Sequence, residues 1–237
     1  MFIKAAINGG RATSEHAATP VTAEEIAAET RQVIEAGADV VHLHPRDSRG
    51  EQSIAPEDVD AVIAEVRRVA GGAVVGITTG LWTCPGGHPE RYDRVKAWNV
   101  LPDFASVAFC EEGAAETAEL VVARGMILES AVWSVEDVPA LLASPTLRDN
   151  VRVLIEPMDE DPETAVEHAR AMAALLKEGG VECPLLYHGD GPTVWPVLRA
   201  ALADGHQVRI GLEDGLTLPD GRLAAGNVDL VKAVLSL

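Results

Sequence analysis

Short apolar runs rich in β-branched residues alternate with stretches of helical periodicity along the whole of this 237-residue chain, eight of each. The runs are Phe2 to Asn8, Asp39 to His44, Ala73 to Thr79, Phe104 to Phe109, Gly125 to Glu129, Val151 to Glu156, Pro184 to His188 and Gln207 to Gly211. Helix starts are readable between them. Thr22 precedes AEEIAAETRQVIEAG, with Glu25 placed for a capping box and Gly37 as the stop. Comparable starts occur at Ala55-Pro56-Glu57, at Ser134 with Asp137 three residues on, and at Asp161-Pro162-Glu163. An open doubly wound sheet usually needs fewer such units, and one closed barrel of this kind runs to about 250 residues. The pattern therefore predicts an α/β fold: a (β/α)8 TIM barrel forming a single domain over residues 1–237.

Composition agrees and removes several classes of function. The apolar fraction is 47% with only 4% aromatic, mostly Ala, Val, Leu and Ile, as expected for buried parallel strands under Ala-rich helices. With 37 acidic against 19 basic residues the formal charge is -18, which repels phosphate backbones and anionic membrane surfaces. Neither nucleic acid nor membrane is an expected partner. The opening MFIKAAINGG reaches Gly9 and Gly10 before an apolar leader could form, and no run approaches the roughly 20 apolar residues of a span. Three cysteines, Cys84, Cys110 and Cys183, show no CxxC pair or disulfide framework and fit a reducing compartment. The expected location is cytoplasmic.

A barrel of this type works at the face where strands end and βα loops begin. At those strand ends the chain has Asn8, His42, His44, Thr78, Thr79, Cys110, Glu129, Glu156, His188, Arg209, Glu213 and Asp214. In HLHPRD the histidines stand two apart, so strand alternation sends both to one side. Two imidazoles facing one way at a strand end can share a divalent ion, zinc by preference; the bland reading is a pair of hydrogen-bonded core histidines. A catalytic site commonly adds a carboxylate and keeps one position open. Glu213 and Asp214 are both candidates, because strand eight closes beside strands one and two, and either could instead cap a helix or be a solvated loop acid.

Other strand-end residues keep two readings. Asn8 and Arg11, flanking Gly9 and Gly10, suit a carboxylate or phosphate, or form an ordinary Gly-rich turn. Thr78 and Thr79 could bind a carboxylate or carbonyl oxygen, or be plain strand threonines. Glu129 interrupts GMILES and is costly to bury alone, so it reads a substrate group or sits in a structural ion pair. His188 is a third metal ligand, a general base or a wall residue. Trp82, directly after ITTG, could line the pocket, whereas Arg46 and Asp47 are expected to pair with each other outside it. No Walker loop and no GxGxxG is present, which removes support for nucleotide-dependent transfer.

Three segments taken together, AGADVVHLHPRDSRG at 36–50, ITTG at 77–80 and GHQVRIGLEDGLTLPDGRLAAGNVDLV at 205–231, resemble the β-keto acid cleavage enzyme family. The resemblance implies zinc held by His42, His44 and Glu213, with Arg209 and Asp214 as the catalytic pair. It implies condensation of a β-keto acid with acetyl-CoA, giving acetoacetate and a new acyl-CoA by a retro-Claisen route. Ser106 stands near a hydroxyl position of the family, and Glu129 near one that selects the acyl chain, which favours a cationic or hydroxylated substrate. The family's glutamate soon after strand one has only Glu15 as a counterpart, and the loop after strand six reads EPMDEDPE in place of a Gly-rich stretch. A homo-oligomer is expected. The alternatives are a metal-dependent aldolase or hydrolase working without CoA, and a non-catalytic metal-containing binding barrel.

Overall fold

The structure is a computed structural model describing residues 1–237. Eight parallel strands close into a barrel in chain order: β1 (Ile3–Ala6), β2 (Val40–Leu43), β3 (Val75–Thr78), β4 (Phe104–Ala108), β5 (Ile127–Val132), β6 (Asn150–Ile155), β7 (Leu185–Tyr187) and β8 (Gln207–Ile210). The helices are α1 (Ala23–Ala36), α2 (Pro56–Val69), α3 (Gly87–Ala97), α4 (Ala114–Ala123), α5 (Val138–Leu142), α6 (Pro162–Glu178), α7 (Val194–Ala203) and α8 (Asn227–Leu235). The expected (β/α)8 barrel is the observed fold.

Local signals explain the helix ends. Thr22 and Glu25 form the reciprocal capping box of α1, and Gly37 closes it at φ 115° with its N–H on Ile34 and Val33 carbonyls. Pro56 and Pro162 occupy the first turns of α2 and α6, and Asp161 caps α6 through the Thr164 N–H. Ser134 does not start α5. Asp137 instead accepts from the Trp133 and Ser134 N–H groups and the helix begins one residue later. A second difference matters more: β5 runs on to Val132, so Glu129 lies in mid-strand rather than at its end.

Strand alternation divides the side chains between two interiors. Outward residues such as Ile7, Val41, Leu43, Ile77, Val107 and Ile155 pack under the helices in the main hydrophobic core. Inward residues form a much smaller apolar group, Ala131, Leu154 and Leu186, with Phe2, Ala108 and Trp133 against it. The rest of the barrel interior is mostly polar, with the Phe104 ring under the Lys4 ammonium at 4.9 Å. The register sets Ser106 beside Glu129 and Glu129 beside Arg152, while Lys4 neighbours Arg209. Lys4 and Arg152 both bind Glu129, closing a charged floor with Gln207, which accepts from Arg152 Nε at 2.8 Å.

Candidate metal and active site

His42 and His44 leave β2 on one face, as a two-residue repeat on a strand requires. Their Nε2 atoms lie 3.0 Å apart with the rings edge to face, and Glu213 Oε1 stands 3.8 Å from the first and 3.4 Å from the second. Ligands about 2.0–2.2 Å from a shared tetrahedral ion are separated by roughly 3.3–3.5 Å, so the three donors fit one divalent cation. The buried atoms agree. His42 Nδ1 and Glu213 Oε2 have no hydrogen-bond partner, and burial holds His42 well below the ordinary histidine range, which leaves it the neutral form a metal needs. His44 Nδ1 meets Gln52 Oε1 at 2.5 Å, an outer contact that orients the ring and leaves Nε2 free to ligate.

Two backbone features bring Glu213 to the histidines. Gly211 lies so close to β1 that a Cβ there would stand 1.8 Å from the Ala6 carbonyl oxygen. Gly9 adopts φ +49°, and a Cβ on it would lie 2.2 Å from Glu213 Cγ, so the carboxylate passes over a residue that must be glycine. Asn227, at the start of α8, locks the same junction by accepting from Leu212 N–H at 2.8 Å and donating to the Ile7 carbonyl at 2.9 Å.

Arg209 binds Asp214 through two nitrogens at 3.0 and 2.6 Å and Glu213 Oε1 at 2.7 Å. Burial opposes its charge, but Asp214, Glu213 and Glu156 outweigh burial and hold it above the ordinary guanidinium range. The two carboxylates share this cation unequally. Burial pushes Asp214 up to about 6 against the pull of Arg209, whereas at Glu213 burial is outweighed, chiefly by Arg209, and the carboxyl is held well below its usual value. A carboxylate with a raised pKa beside a metal-type site is suited to proton transfer. His188, kept neutral mainly by burial, lies 3.8 Å from Asp214 and 3.3 Å from Glu156.

A pocket opens over these groups, lined by His42, His44, Glu213, Arg209, Thr78 and Ser106 with Trp82, Trp133 and Glu156. A larger open groove lies on the outer layer between α3 and α4, away from the strand ends and their donors. Trp82 stacks on His44 at 6.3 Å between ring centres and donates to Gln52 at 3.2 Å, so its expected place at the pocket is the observed one.

The other expected substrate residues divide. Thr78 and Ser106 line the pocket. Thr79 turns away and donates to the Ser106 carbonyl at 2.7 Å. Asn8 is a backbone clamp, accepting from His44 N–H at 2.8 Å and donating to its carbonyl at 2.9 Å, so it positions the end of β2. Arg11 is bound to the Leu212 and Glu213 carbonyls at 3.2 and 3.3 Å and to Glu15 at 2.7 Å. Glu129 is fully buried in the floor with both oxygens engaged by Lys4 and Arg152, so the ion-pair reading holds. Arg46 and Asp47 do not pair: Arg46 binds the Gly9, Arg11 and Gly50 carbonyls, and Asp47 binds Arg49.

Gln52, Lys4 and Arg152 carry roles that the strand-end reading did not find. Lys4 and Arg152 left a signal, a lone cation in each of two apolar strands. Gln52 left none, because it reaches His44 from a loop eight residues on.

Two imidazoles and a carboxylate, set beside a buried guanidinium–carboxylate pair at the C-terminal face of the strands, define a barrel enzyme with a metal-type centre. Comparison with known proteins makes this particular: the chain belongs to the beta-keto acid cleavage enzyme family, whose profile matches residues 1–237. It is 25% identical over 259 residues to the 3-keto-5-aminohexanoate cleavage enzyme of Fusobacterium nucleatum, covering 100% of this chain and 90% of that one. Over 94 residues, 40% of this chain and 31% of the other, it is 31% identical to the 3-oxoadipate:acetyl-CoA acetyltransferase of Cupriavidus necator. Among solved structures, ObcA in ternary complex with a C4-CoA adduct and oxalate superposes at TM-score 0.76 and 21% identity, over 92% of this chain; the chain spans 63% of that protein.

Proposed function

We propose that this protein is a zinc-dependent β-keto acid cleavage enzyme that uses acetyl-CoA and releases acetoacetate and a new acyl-CoA. The observation that carries the reading is the His42, His44, Glu213 donor set beside the Arg209–Asp214 pair. Family membership supports the reaction class, and acetyl-CoA is supported by the name of the Cupriavidus relative.

A divalent ion held by the three donors supplies Lewis acidity toward the keto oxygen. Asp214 takes the proton from the carbon between the keto and carboxyl groups, with Arg209 holding its orientation and its charge. That carbon attacks the acetyl carbonyl of acetyl-CoA, and the CoA thiolate leaves. The thiolate then attacks the original keto carbon, the bond between that carbon and the former methylene breaks, Asp214 returns its proton to the departing carbanion, and acetoacetate and the new thioester separate. Thr78 and Ser106 offer hydroxyls to substrate oxygens along the pocket wall.

The test is to incubate zinc-loaded protein with a panel of β-keto acids and acetyl-CoA, following acetoacetate and the new thioester. Equal formation of both, lost together with bound metal in His42→Ala, is the expected result. Turnover without CoA would replace this reading by a metal-dependent aldolase or hydrolase. No turnover with any keto acid, in protein that retains its metal, would leave a binding barrel.

A further inference from the structure

Five successive loops at the strand ends hold no permanent cation. Between β3 and α3, β4 and α4, β5 and α5, β6 and α6, and β7 and α7 the chain reads TGLWTCPG (79–86), FCEEG (109–113), WSVED (133–137), EPMDED (156–161) and HGDGPT (188–193), without one Lys or Arg. Some of the acids there are engaged: Arg91 binds Glu111 at 2.5 Å, and His168 meets Asp159 at 2.8 Å. Glu112, Glu136, Glu160, Asp161 and Asp190 are exposed, and none of them is bound by a Lys or Arg.

The cations elsewhere at the mouth already have partners. Arg11 binds the Leu212 and Glu213 carbonyls and Glu15, and Arg46 binds the Gly9, Arg11 and Gly50 carbonyls. Arg49 and Arg222, the exposed guanidiniums of the other loops, are paired with Asp47 and Asp220 at 2.8 Å each. On α3, Arg91 is fully buried and Arg94 holds Glu90 at 2.5 Å. Lys4 and Arg152 lie in the floor on Glu129, and Arg209 is held by Glu213 and Asp214. Phosphates are bound by free guanidinium or ammonium groups or by an open helix N-terminus. The start of α6 is closed to them, because Asp161 caps it through the Thr164 N–H.

An uncharged ligand meets a different surface. Trp133 lines both the reaction pocket and a second groove beside it, where Val135 and Met158 add apolar side chains and Met158 is 58% exposed. Glu136 and Asp159 edge that groove. A pantetheine arm, with its branched alkyl centre and two amides, suits apolar walls with polar edges. The ADP end of coenzyme A, with a phosphomonoester and a diphosphate, meets like charge there. We propose that the acetyl thioester is recognised through its uncharged pantetheine arm, against Trp133, Val135 and Met158, and that the nucleotide end of coenzyme A contributes repulsion in place of affinity. The acetyl donor that best suits this chain is accordingly a pantetheine-type thioester without phosphate.

The inference rests on the proposed acetyl transfer, and binding separates the two. With the metal-loaded protein in its solution assembly and a β-keto acid it accepts, kcat/KM is measured for acetyl-CoA and for S-acetylpantetheine from about 0.01 to about 0.15 M salt, where the screening length falls from about 30 to about 8 Å. At low salt S-acetylpantetheine exceeds acetyl-CoA about tenfold, and the gap closes as salt rises because only acetyl-CoA responds. Glu112→Lys combined with Glu160→Lys narrows the gap at low salt without changing turnover of S-acetylpantetheine, and Met158→Ser raises KM for both thioesters alike. A preference for acetyl-CoA, or a rate with acetyl-CoA that falls as salt rises, would overturn the assignment, whether the cations responsible came from this chain or from a second copy. If neither thioester gives acetoacetate, the proposed reaction fails, and calorimetric binding of CoA and pantetheine still decides recognition: pantetheine at least as tight as CoA upholds it, and CoA tighter overturns it.

Discussion

The barrel interior holds two charged layers that differ in one respect. In the floor, Glu129 is bound by both Lys4 and Arg152, and Arg152 also engages Gln207. At the mouth, three carboxylates share one guanidinium, while His42 Nδ1, Glu213 Oε2 and both nitrogens of His188 are buried without partners. Buried polar groups are normally satisfied, so a cluster that is not has been left open for something the chain does not supply. The floor shows that this fold can give a buried carboxylate its partners from within the chain. Charge alone does not mark the site; incomplete pairing does.

The comparison predicts opposite consequences of mutation. The largest effect is expected at the mouth: Asp214→Asn lowers kcat by about 10²–10⁴-fold with the fold intact, measured as acetoacetate formation alongside thermal unfolding. Equal activity in that variant would remove Asp214 as the base. In the floor, Glu129→Leu strands Lys4 and Arg152 and should cost about 3–5 kcal/mol in urea unfolding, against little change for His42→Ala in metal-free protein. A smaller cost would show that the floor is not held by its ion pairs.

Two finer effects sharpen the contrast. Gln52→Ala removes the outer partner of His44 and should weaken metal binding about 10–100-fold, read by chelator competition, without moving the unfolding temperature of the metal-free protein. The other effect is in pH dependence. Because the folded protein holds the Glu156 carboxyl near 8 while an unfolded glutamate titrates near about 4.3, the folded state retains an extra proton between those values. Stability of the metal-free protein therefore falls as pH rises through that window, and Glu156→Gln removes this part of the slope.

Much of the site is legible in the sequence because its rules are local. A two-residue spacing on a strand puts His42 and His44 on one face, and a strand end in a barrel of this kind faces the active-site mouth. The helix boundaries at Thr22, Gly37, Pro56 and Asp161 are equally local. The readings that changed at the barrel interior involve partners distant in the chain. Glu129 and Lys4 are 125 residues apart, and Asn8 and His44 are 36 apart. No window of sequence contains both members of either pair.

The amino-acid sequence by itself determined the eight-fold alternation, and with it the barrel and the placing of His42 and His44 on one face at a strand end. Only the tertiary structure decided which polar residues neutralise one another. Closure brings β1 against β8 and aligns β4, β5 and β6 so that Glu129 receives two cations and Glu156 receives none. Strand periodicity is a property of neighbouring residues, whereas charge balance is a property of the space they enclose.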